Sequence, residues 1–252
     1  MRAHSKSKKS LITIRNLNKA FGSKRVLTGL NLDVFKNESL VILGGSGVGK
    51  SVLIKCLIGL IQPDSGSIKL ENNEISSLST QERSDLMNKF GFLFQGGALF
   101  DSLTVWKNVA FFYLYNRRTS SEEARHIASE TLAKVGLGSS VLDLYPQELS
   151  GGMQKRVSFA RTIAHNPEIL LFDEPTAGLD PIMSTVINEL IINVRDNHQS
   201  TLITITHDLD STRKIATRVG MLHEGKIAWT GDIKALNRSR NTIVENFIHG
   251  KA

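Results

Sequence analysis

Gly44-Gly45-Ser46-Gly47-Val48-Gly49-Lys50-Ser51 matches G-x-x-x-x-G-K-[ST] and stands between an apolar run, Leu40 to Leu43, and an apolar-periodic segment from Val52 to Leu60. A strand, a glycine-rich joint and a helix are thereby predicted. Glycines at the joint let successive backbone N–H groups turn inward with no Cβ in the way, which makes an anion cradle at a helix N-terminus. Lys50 is then placed to reach the β- and γ-phosphates of a nucleotide, and the Ser51 hydroxyl to ligate Mg2+. A glycine-rich turn with a chance Lys-Ser is the plain alternative, and the flanking strand and helix weigh against it.

At 252 residues, 40% hydrophobic and 22% charged, the chain reads as globular and is long enough for one large domain or a domain with a subdomain. A formal net charge of +7 is compatible with nucleic acid, an anionic membrane surface or a basic cytoplasmic protein. Part of it sits in Arg2, Lys6, Lys8 and Lys9. Residues 1–10 are therefore predicted to be a flexible basic tail, because they lack apolar residues to anchor them. The start carries no charged n-region with an apolar h-region, and no apolar run is long enough to span a bilayer, so an intracellular, non-spanning protein is expected. A single Cys56 excludes an intrachain disulfide. With Leu53, Leu57 and Leu60 at helical spacing around it, Cys56 reads as a core residue. The seven His are scattered without zinc-ligand spacing, so no transition-metal site is expected.

Leu11 to Leu17 alternates as a strand, Phe21 to Arg25 reads as a turn, and Leu30, Leu32 and Val34 alternate again, giving an antiparallel β element. An aromatic on that turn, Phe21, is positioned to stack on an adenine or to be an ordinary half-buried loop residue. Strand signals recur at Ser67 to Leu70, at Phe90 to Gln95 and at Thr201 to Ile205, and a helix is expected from Thr80 to Met87. Helical patterning dominates Val105 to His165. Ser120 with Glu123 forms a capping box there, and Ser150-Gly151-Gly152 starts a further helix that Asn166-Pro167 ends. Asp180-Pro181 reads as N-cap plus first-turn proline of a helix through Val194. Arg218 to Leu222 and Lys226 to Thr230 form a hairpin, and Ile243, Val244, Phe247 and Ile248 mark an amphipathic helix within residues 237–252. Strands alternating with helices around the phosphate loop indicate an α/β fold with a P-loop core and a mainly parallel sheet. A helical insertion of about residues 96–166 is expected within a domain of residues 11–236. Ala98 to Trp106 is unusually apolar for a glycine-containing loop, so it is either core or a surface held for a partner.

Ile169-Leu170-Leu171-Phe172 is a buried strand that ends on Asp173-Glu174. At a strand end beside a phosphate loop, Asp173 is suited to hold Mg2+ or its water, and Glu174 to act as general base on a water in line with a γ-phosphate. Two solvated acids at a strand terminus are the alternative reading.

Leu149-Ser150-Gly151-Gly152-Met153 lies ahead of Asp173, and with it the chain resembles the nucleotide-binding subunits of ATP-binding cassette (ABC) transporters over roughly Leu11 to Gly231. That resemblance implies ATP and Mg2+ as cofactors, with adenine stacking on Phe21. The phosphate contacts fall to Gly44, Gly45, Ser46, Gly47, Val48, Gly49, Lys50, Ser51 and Val52. Gln95 becomes the Q-loop glutamine, ligating metal beside Ser51 and Asp173. It implies catalytic roles for Glu174, for the switch histidine His207, for Gln95 and for Lys50. Ser150, Gly151, Gly152 and the D-loop Asp180 would contact nucleotide held by a second copy, giving a head-to-tail homodimer. Met153 departs from the family's glutamine, which bears on a peripheral nucleotide contact. The stretch Phe94 to Ala110, above all Gly97-Ala98-Leu99-Phe100-Asp101, is similar to the Mla/Mce-type phospholipid-transport ATPases. It implies an integral membrane permease docking near Gln95 to Trp106, accessory and lipid-binding subunits, no nucleic acid, and a peripheral position on the cytoplasmic face of the inner membrane. Two other readings are an ABC ATPase of another kind, another cargo or the soluble iron-sulfur-assembly type, and an ATP-sensing module that does not hydrolyse. Intact Glu174 and His207 weigh against the second.

Overall fold

A computed structural model describes residues 9–75, 78–116 and 119–250. In chain order the elements are β1 (Ser10–Phe21), β2 (Lys24–Phe35), β3 (Ser39–Leu43), α1 (Lys50–Leu57), β4 (Ser65–Leu70), β5 (Asn73–Glu74) and α2 (Thr80–Met87). Next come β6 (Phe90–Leu93), α3 (Val105–Val109), α4 (Phe111–Asn116), α5 (Ser121–Lys134), α6 (Gly151–Ile163), β7 (Ile169–Asp173) and α7 (Pro181–His198). The chain closes with β8 (Thr201–Thr206), α8 (Leu209–Ile215), β9 (Arg218–His223), β10 (Lys226–Asp232), α9 (Ile233–Leu236) and α10 (Thr242–Ile248). Two compact units divide the chain, Met1–Met87 with Ile205–Ala252 and Asn88–Thr204. Most of the expected basic tail, residues 1–8, lies outside the described residues.

In the first unit β1 pairs antiparallel with β2 on one side and with β4 on the other, and β5 folds back on β4. Ile12, Ile14, Leu30, Leu32 and Val34 are buried as their alternation predicts, and Leu17, out of phase, is brought in by the bulge at Asn16 (φ 47). β3 is buried at all five positions and runs parallel to β9, which pairs antiparallel with β10. Its near-continuous apolar run is what a strand buried on both faces requires. Glu224 and Gly225, both at positive φ (46 and 73), make the tight turn of the β9–β10 hairpin.

α1 is shorter than its periodicity predicts. Gly59 at φ 72 adopts the left-handed conformation, its N–H donates to Cys56 O, and the Leu60 N–H donates to Lys55 O. That pairing is a Schellman stop. Leu60 consequently lies outside the helix and 63% exposed, so it is not the core residue its spacing suggests. Cys56 is buried as expected.

In the second unit β6 and β7 run parallel, with Phe90 opposite Ile169 and Leu93 opposite Phe172. β6 stops at Leu93, two residues before the predicted end at Gln95. α3, α5 and α6 pack on one another through Val105, Val109, Ala124, Ala128, Leu132, Val157 and Ala160, while Phe159 stacks on Phe172 with centroids 5.5 Å apart. Gly91 permits the close approach of β6 to α6, since a Cβ there would sit 2.4 Å from Thr162 O. The Ser120 cap accepts from the Glu123 N–H, and α7 runs past Val194 to His198. The helical stretch expected up to His165 is interrupted by 3-10 turns at Ser139–Val141 and Pro146–Glu148.

Candidate active site

The phosphate loop joins β3 to α1 within the first unit. Gly44 is boxed in, because a Cβ would stand 2.6 Å from Leu222 O and 2.9 Å from Val48 Cγ2. Gly49, the N-cap of α1, takes φ 107 and offers no side chain to its own helix. The first turn of α1 also carries no acid, so the helix N-terminus meets no carboxylate of its own. Into that positive end the chain places a cation. Lys50 is 7% exposed, and its Nζ donates to Gly44 O at 2.8 Å and Gly45 O at 2.9 Å. A buried ammonium on a helix N-terminus is like charge against like dipole, an arrangement that an arriving polyanion relieves. Ser46 and Gly47 are exposed, Gly45, Val48, Ser51 and Val52 half-buried. Phe21 ends β1 at 49% exposure with Lys19 Nζ 5.4 Å from its ring centre, an open aromatic face flanked by a cation. His207 is exposed just past β8, and the next residue, Asp208, caps α8 by accepting from the Asp210 and Ser211 N–H groups.

The second unit holds the carboxylates. Asp173 ends β7 at 8% exposure and Glu174 follows at 9%. Glu174 takes φ 47, a left-handed conformation that a non-glycine residue holds only when its surroundings fix it. A turn follows, with Ala177 N–H on Glu174 O and Leu179 N–H on Thr176 O. Asp180 then caps α7, accepting from Ile182 and Met183 N–H at 2.9 Å each. Ser150 caps α6 by accepting from Met153 N–H at 3.3 Å. The tip of α6 rests on α7, because a Cβ on Gly152 would meet Met183 Cε at 3.0 Å. The signature and D-loop segments, far apart in sequence, are thereby brought together.

Gln95 is brought to the same helix by a residue that sequence reasoning passed over. Lys155 is 6% exposed and its Nζ donates to Gln95 O at 2.7 Å. Burial lowers the Lys155 pKa, and the charge of Asp173 partly offsets the shift. Asn108 and Arg161 were equally invisible. Fully buried Asn108 ties its side chain to the backbone of Phe100, Leu103 and Thr104, and Arg161 donates to Ala98 O at 2.8 Å. The apolar loop divides. Val105 and Trp106 are core, whereas Phe100 is 44% exposed and stacks on Phe111, whose ring packs at a tilt on the 59%-exposed Tyr115.

Among the described residues no three His, Cys, Asp or Glu side chains gather as a metal site. A magnesium ion takes one or two protein oxygens and completes its shell with phosphate and water. Ser51 in the first unit and Asp173 and Gln95 in the second each carry a hard oxygen of the kind such an ion accepts. No helix among the described residues is long and apolar enough to cross a membrane.

Comparison with known proteins places the chain in a family. Residues 27–177 match the ABC transporter family model. The chain is 37% identical over 240 residues to the probable ribonucleotide transport ATP-binding protein mkl of Mycobacterium leprae, covering 95% of this chain and 69% of that protein. It is 34% identical over 243 residues to MlaF, the intermembrane phospholipid transport system ATP-binding protein of Haemophilus influenzae, covering 96% and 92%. A dimeric ATP-binding cassette in a post-hydrolysis state with ADP and Pi superposes with TM-score 0.80 at 30% identity, covering 88% of this chain and 98% of that one. With its phosphate loop, paired carboxylates and signature helix in the family's order, the chain belongs to the ABC transporter family as an ATP-binding subunit that hydrolyses ATP.

Proposed function

We propose that two copies of this chain bind two MgATP head to tail and that their hydrolysis drives phospholipid movement through a separate membrane permease. Phe21 stacks on adenine, and the loop from Gly44 to Val52 holds the phosphates with Lys50 on the β,γ pair. Ser51, Asp173 and Gln95 hold Mg2+, which when bound neutralises charge on the phosphate oxygens. Glu174 takes the proton of the attacking water, His207 orients the γ-phosphate, and Ser150, Gly151, Gly152 and Asp180 of the other copy close the site. The observation that carries this reading is the buried Lys50 ammonium set on an uncapped helix N-terminus.

The permease is proposed to seat near Gln95 to Trp106, where exposed Phe100 packs on half-buried Phe111 and exposed Tyr115, at the cytoplasmic face of the inner membrane. The MlaF likeness and the Gly97-Ala98-Leu99-Phe100-Asp101 stretch favour phospholipid as cargo; the mkl name favours a ribonucleotide. Accessory and lipid-binding subunits complete the assembly. α10 is proposed to pack within the first unit, where Val244 is fully buried. A Glu174→Gln variant is expected to retain ATP and elute as a dimer in MgATP. A monomer under those conditions refutes the shared site. Copurified permease with bound phospholipid supports the cargo, and a ribonucleotide-stimulated ATPase without lipid overturns it.

A further inference from the structure

α6 carries more than the signature at its tip. Along one side of it Lys155, Ser158, Arg161 and Thr162 face the segment from Phe92 to Ala98. Lys155 Nζ donates to Gln95 O at 2.7 Å and Arg161 Nη1 to Ala98 O at 2.8 Å, while the Thr162 hydroxyl, 2.8 Å from Ser158 O in its own helix, also stands 3.1 Å from Phe92 O. Ser158 Oγ occupies the place where a Cβ on Gly97 would come, 2.7 Å away. The held segment is irregular. Past Leu93 β6 has ended, Gly97 and Ala98 both take positive φ (76 and 50), and Gly97 N–H donates to Phe94 O in a tight turn. A non-glycine residue in the left-handed region costs roughly 1–2 kcal/mol, so Ala98 keeps that conformation only because something outside the segment holds it. Two of the donors are cations, Lys155 buried and Arg161 half-buried, and charge-assisted bonds are the strong ones.

We propose that Lys155 and Arg161 are positioning residues that clasp the Gln95 loop to the signature helix, so that the Ser150–Gly152 tip and Gln95 move as one piece during hydrolysis. The clasp works through backbone carbonyls and leaves the Gln95 side chain available. Tilting α6 toward a nucleotide then carries Gln95 with it, and displacing the loop from outside carries the tip. Both residues act through Gln95, on which the proposal rests for its role in the reaction.

The test uses the full chain, as wild type, Lys155→Met, Lys155→Arg, Arg161→Met and Gln95→Ala. Hydrogen exchange at the Gly97 amide reads the clasp directly, and steady-state hydrolysis separates kcat from the KM for ATP. Loss of one charge-assisted bond is expected to raise Gly97 exchange by about 10- to 100-fold in Lys155→Met and Arg161→Met. In the same variants kcat is expected to fall about 10-fold with KM within about twofold, and Lys155→Arg to recover most of both losses. Unchanged Gly97 exchange in both Met variants overturns the clasp. Raised exchange with unchanged kcat overturns its role in positioning. Wild-type hydrolysis by Gln95→Ala removes Gln95 from the reaction instead, an outcome read separately from the exchange data.

Discussion

Asn108→Ala isolates the brace under the exposed loop. The Asn108 side chain accepts from Phe100 N–H at 2.8 Å and donates to Phe100 O at 3.0 Å, Leu103 O at 3.0 Å and Thr104 O at 3.2 Å. Two of those partners keep another bond. Phe100 O retains the Leu103 N–H at 3.1 Å, and Thr104 O retains the Asn108 N–H at 2.9 Å. Phe100 N–H and Leu103 O are the groups that lose a partner. At about 1–3 kcal/mol for each group left unmatched, discounted because both stand partly open to water, the loss is about 3 kcal/mol. For a chain of this size that is a fall in Tm of about 6–12 °C. Calorimetry and urea titration of purified wild type and variant measure it. Asn108→Asp keeps the acceptor for Phe100 N–H but turns a carboxylate oxygen onto the carbonyls of Phe100, Leu103 and Thr104 at a fully buried position, so it is expected to be no more stable than Asn108→Ala near pH 7. A fall below about 2 °C in Asn108→Ala, or an Asp variant as stable as wild type, refutes the assignment of this side chain as the brace.

Gly44→Ala is expected to cost about 1–3 kcal/mol of stability without any nucleotide, because the new Cβ meets a backbone oxygen of β9. Gly45→Ala is the control, its nearest neighbour being Val48 Cγ1 at 3.8 Å. Equal melting temperatures for the two variants contradict the packing argument. Lys50→Ala is expected to lose hydrolysis through a weakened grip on the phosphates, so unchanged turnover takes the loop out of the mechanism. Burial pushes the Cys56 thiol from 9.0 to about 11, so near pH 8 its thiolate fraction, and its labelling by a thiol reagent, falls about 100-fold below that of an open thiol. The folded state holds this proton more tightly than the unfolded chain. Its stabilising effect is therefore complete below pH 9 and lost as pH rises through 11. Labelling of the native chain at the rate of the urea-unfolded chain contradicts this.

What the sequence made legible follows from how local each signal is. The phosphate loop, the Asp173-Glu174 strand end and the caps at Ser120, Ser150 and Asp180 were readable because each rests on a few adjacent residues whose backbone needs are specific. Leu60 misled because periodicity continues through a helix stop that Gly59 makes by its conformation and not by its hydropathy. The end of α7 was missed for the converse reason. Gln199 takes the left-handed turn at φ 51 without a glycine to announce it. Lys155, Arg161 and Thr162 fall on one helix face at spacings of six and seven, which in a sequence is indistinguishable from a solvated polar stripe. Their targets are backbone carbonyls some sixty to seventy positions away, and a carbonyl has no letter in the sequence.

The N-termini of α1 and α6 differ in a way that bears on why the chain carries both. α1 has a cation of its own, Lys50, fixed across the loop. At the tip of α6 the nearby polar side chains are turned to other work: Gln154 donates to Pro146 O, Lys155 to Gln95 O and Arg156 to Gly136 O. That tip is left with its dipole, its N–H groups and the Ser150 hydroxyl, worth about 0.3–1 kcal/mol for an anion and up to about 2 in a sheltered setting. Micromolar binding requires about 8 kcal/mol. Such a tip does not capture a nucleotide unaided, yet it shifts an equilibrium by about tenfold when the nucleotide is already seated on a phosphate loop. A weak anion site of this kind reports occupancy and adds little affinity. That is the physical property required of a surface that closes on loaded sites and opens once the γ-phosphate has gone.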